Sequence, residues 1–190
     1  MGIAVFVSGN GTNLQAIIDS VSCGEIKAKL ALVVCNNPSA YAVERAKRAG
    51  IETFILSHRG FKSREDYDKE IIKKLRERDV NLIVLAGFMR LLSPYFVSRY
   101  RNKILNIHPA LLPSFKGTHS IKDAFESGVK ETGVTVHFVD EKLDHGPIIL
   151  QEAVKIEEED TLESLEEKIH RVEHKLYPRA IQMVIEGKTG

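Results

Sequence analysis

The strongest constraint on the fold is a rhythm of short apolar runs separated by amphipathic stretches. The runs are Gly2–Val7, Leu30–Cys35, Ile51–Leu56, Leu82–Ala86 and Ile104–Ile107. Between them Leu14, Ile17, Ile18 and Val21 recur at helical spacing, residues 40–49 read as a helix closed by Gly50, and Arg64–Asp79 carries Tyr67, Ile71, Ile72 and Leu75 on one stripe. Two more helices are expected at Pro94–Tyr100 and near Ser120–Glu126. Strands without polar alternation, alternating with helices, imply a parallel sheet covered on both faces. The pattern then changes. Val134, Val136 and Phe138 alternate with Thr135, His137 and Val139, and Ile148–Glu152 follows the turn residues Asp144-His145-Gly146-Pro147. These two segments are expected to pair antiparallel at a sheet edge. Residues 160–187 read as helix, broken near Pro178.

Composition removes several function classes. Lys+Arg 27 against Asp+Glu 26 leaves a net charge of +1, without the basic excess of a dedicated nucleic-acid binder. Hydrophobic residues at 43% and charged residues at 28% are those of a soluble globule. No apolar run approaches a bilayer span, and the N-terminal residues lack a secretory pattern. Cys23 and Cys35 show no disulfide framework, so a cytoplasmic location is expected. One domain, 1–190, is the expectation from length.

Ser8-Gly9-Asn10-Gly11-Thr12-Asn13 lies between the first strand and the first helix. Glycines let backbone N–H groups approach an anion, and the helix N-terminus adds a positive dipole. A dinucleotide fingerprint fails, because Leu14 stands where the third glycine belongs and Asn36-Asn37 where an acidic residue belongs. A P-loop fails for want of Lys-Ser/Thr. A single-phosphate site remains, beside the plainer reading of a tight turn with Thr12 or Asn13 as N-cap.

Leu105-Asn106-Ile107-His108-Pro109 closes the fifth strand. Alternation puts Asn106 and His108 on one side, at the carboxyl end where open α/β sheets place ligands. Asparagine offers an N–H to a developing oxyanion, and histidine exchanges a proton near neutral pH. Asp144, in the later turn, would orient such a histidine. No G-x-S-x-G and no cysteine nucleophile pattern occurs, which favours direct transfer to a nucleophile on the substrate. The alternative is three polar residues capping strand ends. His170-Arg171-Val172-Glu173-His174 matches H-x-x-E-H literally, but a third zinc ligand is wanting and no metal is expected. His119 and His137 are candidates to line the same cleft.

Taken together, Ser8–Gln15, Leu85-Ala86-Gly87-Phe88-Met89-Arg90, Asn106–Pro113, Val136-His137-Phe138, Leu143–Pro147 and Glu173-His174 with Tyr177-Pro178 resemble the phosphoribosylglycinamide formyltransferase family over nearly the whole chain. The resemblance implies a Rossmann-like α/β domain with a mostly parallel seven-stranded sheet, helices on both faces and an antiparallel edge. It implies that Asn106, His108 and Asp144 are catalytic, that Gly11, Thr12 and Asn13 hold the substrate phosphate, and that Glu173 holds the ribose hydroxyls. Folate would be bordered by Arg64, Met89, Arg90, Leu91 and Leu92, with Val139, Asp140 and Glu141 beside the pterin and Asn106 and Asp144 at its reacting end. His145 occupies a variable position beside Asp144, and the chain ends at Gly190, short of some relatives' tails.

The implied reaction moves a formyl group from 10-formyltetrahydrofolate to the amine of phosphoribosylglycinamide in purine biosynthesis. The expected partners are these small molecules, with no nucleic acid, membrane or metal, in a monomer or homodimer. Three rival readings stay open. A methionyl-tRNA formyltransferase would carry a further nucleic-acid-binding domain, and a formyltetrahydrofolate hydrolase a further regulatory one. A non-catalytic phosphosugar-binding module would keep the loop without needing Asn106, His108 and Asp144.

Overall fold

The computed structural model describes residues 1–188. Its strands are β1 (Gly2–Val7), β2 (Lys29–Cys35), β3 (Thr53–Ile55), β4 (Val80–Leu85), β5 (Ile104–His108), β6 (Glu131–Phe138) and β7 (Ile148–Lys155). Its helices are α1 (Thr12–Ser22), α2 (Tyr41–Arg48), α3 (Arg64–Glu77), α4 (Pro94–Arg99), α5 (Ser120–Glu126) and α6 (Leu162–Ile185). The strands form one sheet in the order β3-β2-β1-β4-β5-β6-β7. Pairing is parallel from β3 to β5, and β6 is antiparallel to both of its neighbours. The expected mostly parallel sheet with an antiparallel edge is therefore present.

Strand alternation divides the core into two layers. Ile3, Val5 and Val7 of β1 pack with α1, α6, Leu105, Ile107, Val134 and Val136. Ala4 and Phe6 face the other way, onto Tyr67, Ile71 and Leu75 of α3 and Phe96 of α4. Burial of apolar area of this kind is the main favourable contribution to folding. Among the described residues no helix is long and apolar enough to cross a membrane.

The topology also positions the site. From β1 the chain steps outward to β2 and β3, then returns to place β4 on the opposite side of β1. Loops leaving the carboxyl ends of β1 and β4 must diverge there, opening a crevice. Ser8 Oγ, just after β1, accepts the Met89 N–H from beyond β4 at 2.8 Å and ties the two rims.

Two expectations need correction. Helix α6 is not broken near Pro178 but runs through it to Ile185. A proline inside a helix costs about 3 kcal/mol, yet Leu176, Tyr177, Pro178, Ala180 and Ile181 are all buried, so packing outweighs the missing bond. The third strand shrinks from Ile51–Leu56 to Thr53–Ile55, because only these residues pair with β2 at the sheet edge.

Candidate active site

The glycine loop enters α1 through Gly11, whose φ of 78° is left-handed. Gly11 is the N-cap, not Thr12 or Asn13, and no side chain caps the helix. A backbone N-cap leaves the first-turn N–H groups available to an anion. Glycine is required twice over. A Cβ at Gly11 would stand 2.7 Å from Ala42 Cβ and 3.0 Å from Ala42 Cα, besides straining the backbone.

Asn13 Nδ2 donates to Glu173 Oε2 at 3.2 Å across 160 residues, so the structure joins two of the expected nucleotide-binding residues. Glu173 is only 4% exposed. The same oxygen accepts from His170 Nδ1 at 2.8 Å, and this bond raises the His170 pKa against partial burial. The H-x-x-E-H residues are thus turned to another use: His170 grips Glu173 and stacks on His174, with ring centroids 6.3 Å apart. Among the described residues no group of three or more His, Cys, Asp or Glu is arranged to hold a metal.

At the other side of the crevice, β5 and β6 pair Asn106 with His137 and His108 with Thr135. His137 is 2% exposed. Its Nδ1 lies 2.8 Å from the Phe138 carbonyl and so carries the proton. Nε2 is then free to accept from Asn106 Nδ2–H at 3.2 Å. Burial holds the His137 pKa below its ordinary value, so the ring is neutral at neutral pH and orients the asparagine.

His108 donates Nε2–H to the Phe115 carbonyl at 2.8 Å. Its Nδ1 faces Asp144 Oδ2 at 3.5 Å, longer than a hydrogen bond, and both side chains are nearly inaccessible. Asp144 Oδ2 also accepts the Gly117 N–H at 3.0 Å, while Oδ1 stands 3.8 Å from His137 Nε2. Asn106, His108 and Asp144 therefore share one cluster, with His137 at its centre. Phe115 (φ 51°) and Asp144 (φ 46°) are both non-glycine residues in left-handed backbone, and both aim an oxygen at His108. Strain of this kind concentrates at functional sites.

The loop carrying Phe115 and Gly117 is pinned at its root. Thr135 Oγ1 donates to the Ala110 carbonyl at 2.7 Å and accepts the Leu112 N–H at 3.1 Å. Gln151 Nε2 reaches Thr135 Oγ1 and the Leu112 carbonyl at 2.8 and 3.0 Å. Thr135 and Gln151 escape a search for motifs, because their importance lies in strand register.

The expected folate-lining residues lie on separate segments: the start of α3, the loop after β4 and the turn after β6. Met89 and Leu91 are 70% and 56% exposed, unusual for large apolar side chains, and Leu143 beside Asp144 is 54% exposed. Arg90 lies over the Tyr67 ring at 5.0 Å, and Leu92 packs on the α3 layer with Phe88 and Val139. The segment ends where Ser93 N–H bonds the buried Asp68 at 2.7 Å. Arg64 is exposed at the first residue of α3, and Glu141 is exposed in the turn after β6. Asp140 pairs with His145 at 2.7 Å and accepts the Lys142 N–H at 2.9 Å. His145 thus bonds Asp140 and not its neighbour Asp144.

A formyl transferase family model matches residues 1–181. The phosphoribosylglycinamide formyltransferase of Bacillus subtilis (strain 168) is 44% identical over 182 residues, which are 96% of this chain and 93% of that protein. The trifunctional purine biosynthetic protein adenosine-3 of Drosophila melanogaster is 48% identical over 187 residues, and this chain spans only 14% of its length. The crystal structure of phosphoribosylglycinamide formyltransferase from Bacillus halodurans has a TM-score of 0.95 at 46% identity, covering 97% of this chain and 95% of that one. A family match over most of the residues, with a near-identical fold at 46% identity, makes this chain a member of the formyl transferase family.

Proposed function

We propose that the chain transfers the formyl group of 10-formyltetrahydrofolate to the amine of phosphoribosylglycinamide, a step of purine biosynthesis. The observation that carries this reading is the convergence of Asn106, His108 and Asp144 at the end of β5, in a crevice whose other side holds the uncapped start of α1 bonded to Glu173. A phosphate suits the first-turn N–H groups, and Glu173 Oε1 is left to accept ribose hydroxyls. Exposed Met89, Leu91 and Leu143 offer apolar surface to a flat pterin.

In this mechanism the substrate amine attacks the formyl carbon, and the carbonyl π electrons move onto oxygen. Asn106 can donate its second Nδ2–H to that oxyanion, since the first is held by His137. As the imidazolium, His108 turns the Nε2–H now directed at the Phe115 carbonyl into a second hydrogen bond to that oxyanion, while the Asp144 carboxylate stabilises its positive charge. Collapse of the intermediate breaks the bond to folate nitrogen. As that bond breaks, His108 gives its Nε2 proton to the folate nitrogen and takes up the proton lost by the amine, which restores the imidazolium. The proposed chemistry uses no metal. Cys23 and Cys35 are both free, which fits a reducing compartment, and we place the chain in the cytoplasm on that ground.

The test is a formyl-transfer assay with 10-formyltetrahydrofolate, with and without phosphoribosylglycinamide. Formylated nucleotide should form stoichiometrically with deformylated folate. Equal folate turnover with and without the nucleotide would instead mark a hydrolase, and no turnover at all would favour a binding module.

A further inference from the structure

The glycine loop has no lysine or arginine of its own, yet a cation reaches it from the next helix. Arg45 of α2 donates Nε–H to the Asn10 carbonyl at 2.9 Å and Nη2–H to Asn10 Oδ1 at 2.8 Å. Its third nitrogen meets Gln15 Oε1 of α1 at 3.3 Å, and its guanidinium lies 4.9 Å over the Tyr41 ring. Every one of these oxygens belongs to a neutral amide. Among the described residues Arg45 makes no ion pair, so its charge stands uncompensated beside the loop. One turn earlier Ala42 donates its N–H to the Gly9 carbonyl at 3.1 Å and packs against Gly11. Residues three apart share a helix face, so α2 presents a single surface that grips the loop at Gly9, Asn10 and Gly11. Arg45 also lines, with Thr12, Gln15 and His174, an open concavity of about 420 Å³ next to the start of α1.

We propose that Arg45 is a positioning residue for the phosphate of the nucleotide. Its planar fork fixes Asn10 at two points, which sets the left-handed turn at Gly11 and holds the N–H groups of α1 in place. Its unpaired charge supplies the cation that the loop lacks. The inference rests on the assignment of the loop to the phosphate. A lysine would keep the charge but could not hold both Asn10 oxygens in one plane, because its donors radiate from a single nitrogen.

Steady-state kinetics of Arg45→Met and Arg45→Lys, with inorganic phosphate as a competing probe, test the proposal. Thermal midpoints of both variants establish that they are folded. Arg45→Met should raise the nucleotide KM and the phosphate inhibition constant by about 10- to 100-fold, the scale of a lost charge-assisted hydrogen bond, with kcat and the folate KM unchanged. Arg45→Lys should recover part of this and keep the salt dependence that Arg45→Met loses. Asn10→Ala should raise the same constants alone but add little in the Arg45→Met background. An unchanged nucleotide KM in Arg45→Met, or a fall in kcat with both KM values unchanged, would overturn the role. Gly11→Val separates the two levels of inference. If it raises the nucleotide KM and Arg45→Met does not, only the Arg45 proposal fails. If neither variant does, the phosphate loop itself is misassigned.

Discussion

His108 owes its proposed role to groups distant in sequence. Asp144 and the Phe115 carbonyl flank its two nitrogens, and the Gly117 N–H holds the same carboxylate oxygen that faces the ring. Asp144→Asn keeps an oxygen able to accept from Gly117 and removes only the charge. The rate constant kcat should fall on the order of 10²–10⁴, the range of positioned acid–base groups. His108→Ala should lose a similar factor, and the double variant much less than the product, because the pair acts as a unit. Fully multiplicative losses in steady-state kinetics would show two independent residues. Gly11 makes a different prediction, since its neighbour is protein and not only ligand. Gly11→Ala brings a Cβ to within 2.7 Å of Ala42 Cβ in left-handed backbone. Chemical denaturation should show a loss of about 1–3 kcal/mol even without nucleotide, whereas an unaltered midpoint would mean that α2 yields freely.

At the scale of elements, the most consequential link is between α6 and the sheet. Tyr177 is fully buried, and its hydroxyl lies 2.8 Å from the Leu85 carbonyl and 3.2 Å from that of Leu105, on two strands whose ends carry the site. Tyr177→Phe should lower stability by about 1–1.5 kcal/mol, the net worth of such a bond, and urea unfolding with an unchanged m-value would measure it. No change would mean that the carbonyls need no donor beyond their strand partners. The same contact explains what could be read in advance. The parallel strands were legible because Val5, Val33 and Val84 belong to short runs apolar on both faces. Asn106 and His108 were legible because proline ends their strand at the site edge. The continuity of the last helix through Pro178 was not, since local preference forbids what the buried residues Tyr177, Ala180 and Ile181 enforce. His137 was legible as a candidate to line the cleft. Its partnership with Asn106 depends on the register between β5 and β6, which no local signal encodes. Arg45 was hidden for the same kind of reason, being 35 residues from Asn10, the residue it holds.

The whole molecule should respond to pH with limbs of separable origin. Burial lowers the pKa values of His137 and His174 from the ordinary 6.5, so below that value the unfolded chain binds more protons than the folded one. Their contribution is full above 6.5 and is lost on acidification. His170 behaves oppositely: its bond to Glu173 raises its pKa, so its contribution is full below 6.5 and disappears as pH rises through the folded value. Further down, Glu52 is held at about 2 by Arg78 and Lys74, from an ordinary 4.5. Asp160 is likewise held at about 2 by Lys168 and the Glu157 N–H, from 3.8. Each contributes above its ordinary value and loses that contribution as pH falls towards its folded one. The Glu52 carboxylate is solvent-facing, so salt should diminish its share, whereas the Asp160 side chain is only 5% exposed and less open to screening. Urea midpoints followed across pH should therefore show that His137→Asn flattens the decline just below 6.5. His170→Gln should flatten the decline above it, and Glu52→Gln the lowest, salt-sensitive part. The two histidine variants must act on opposite sides of 6.5. If His170→Gln altered only the acid side, the Glu173 bond would not be the source of its stabilisation, and the grip on the carboxylate proposed to receive the ribose would have to come from Asn13 alone.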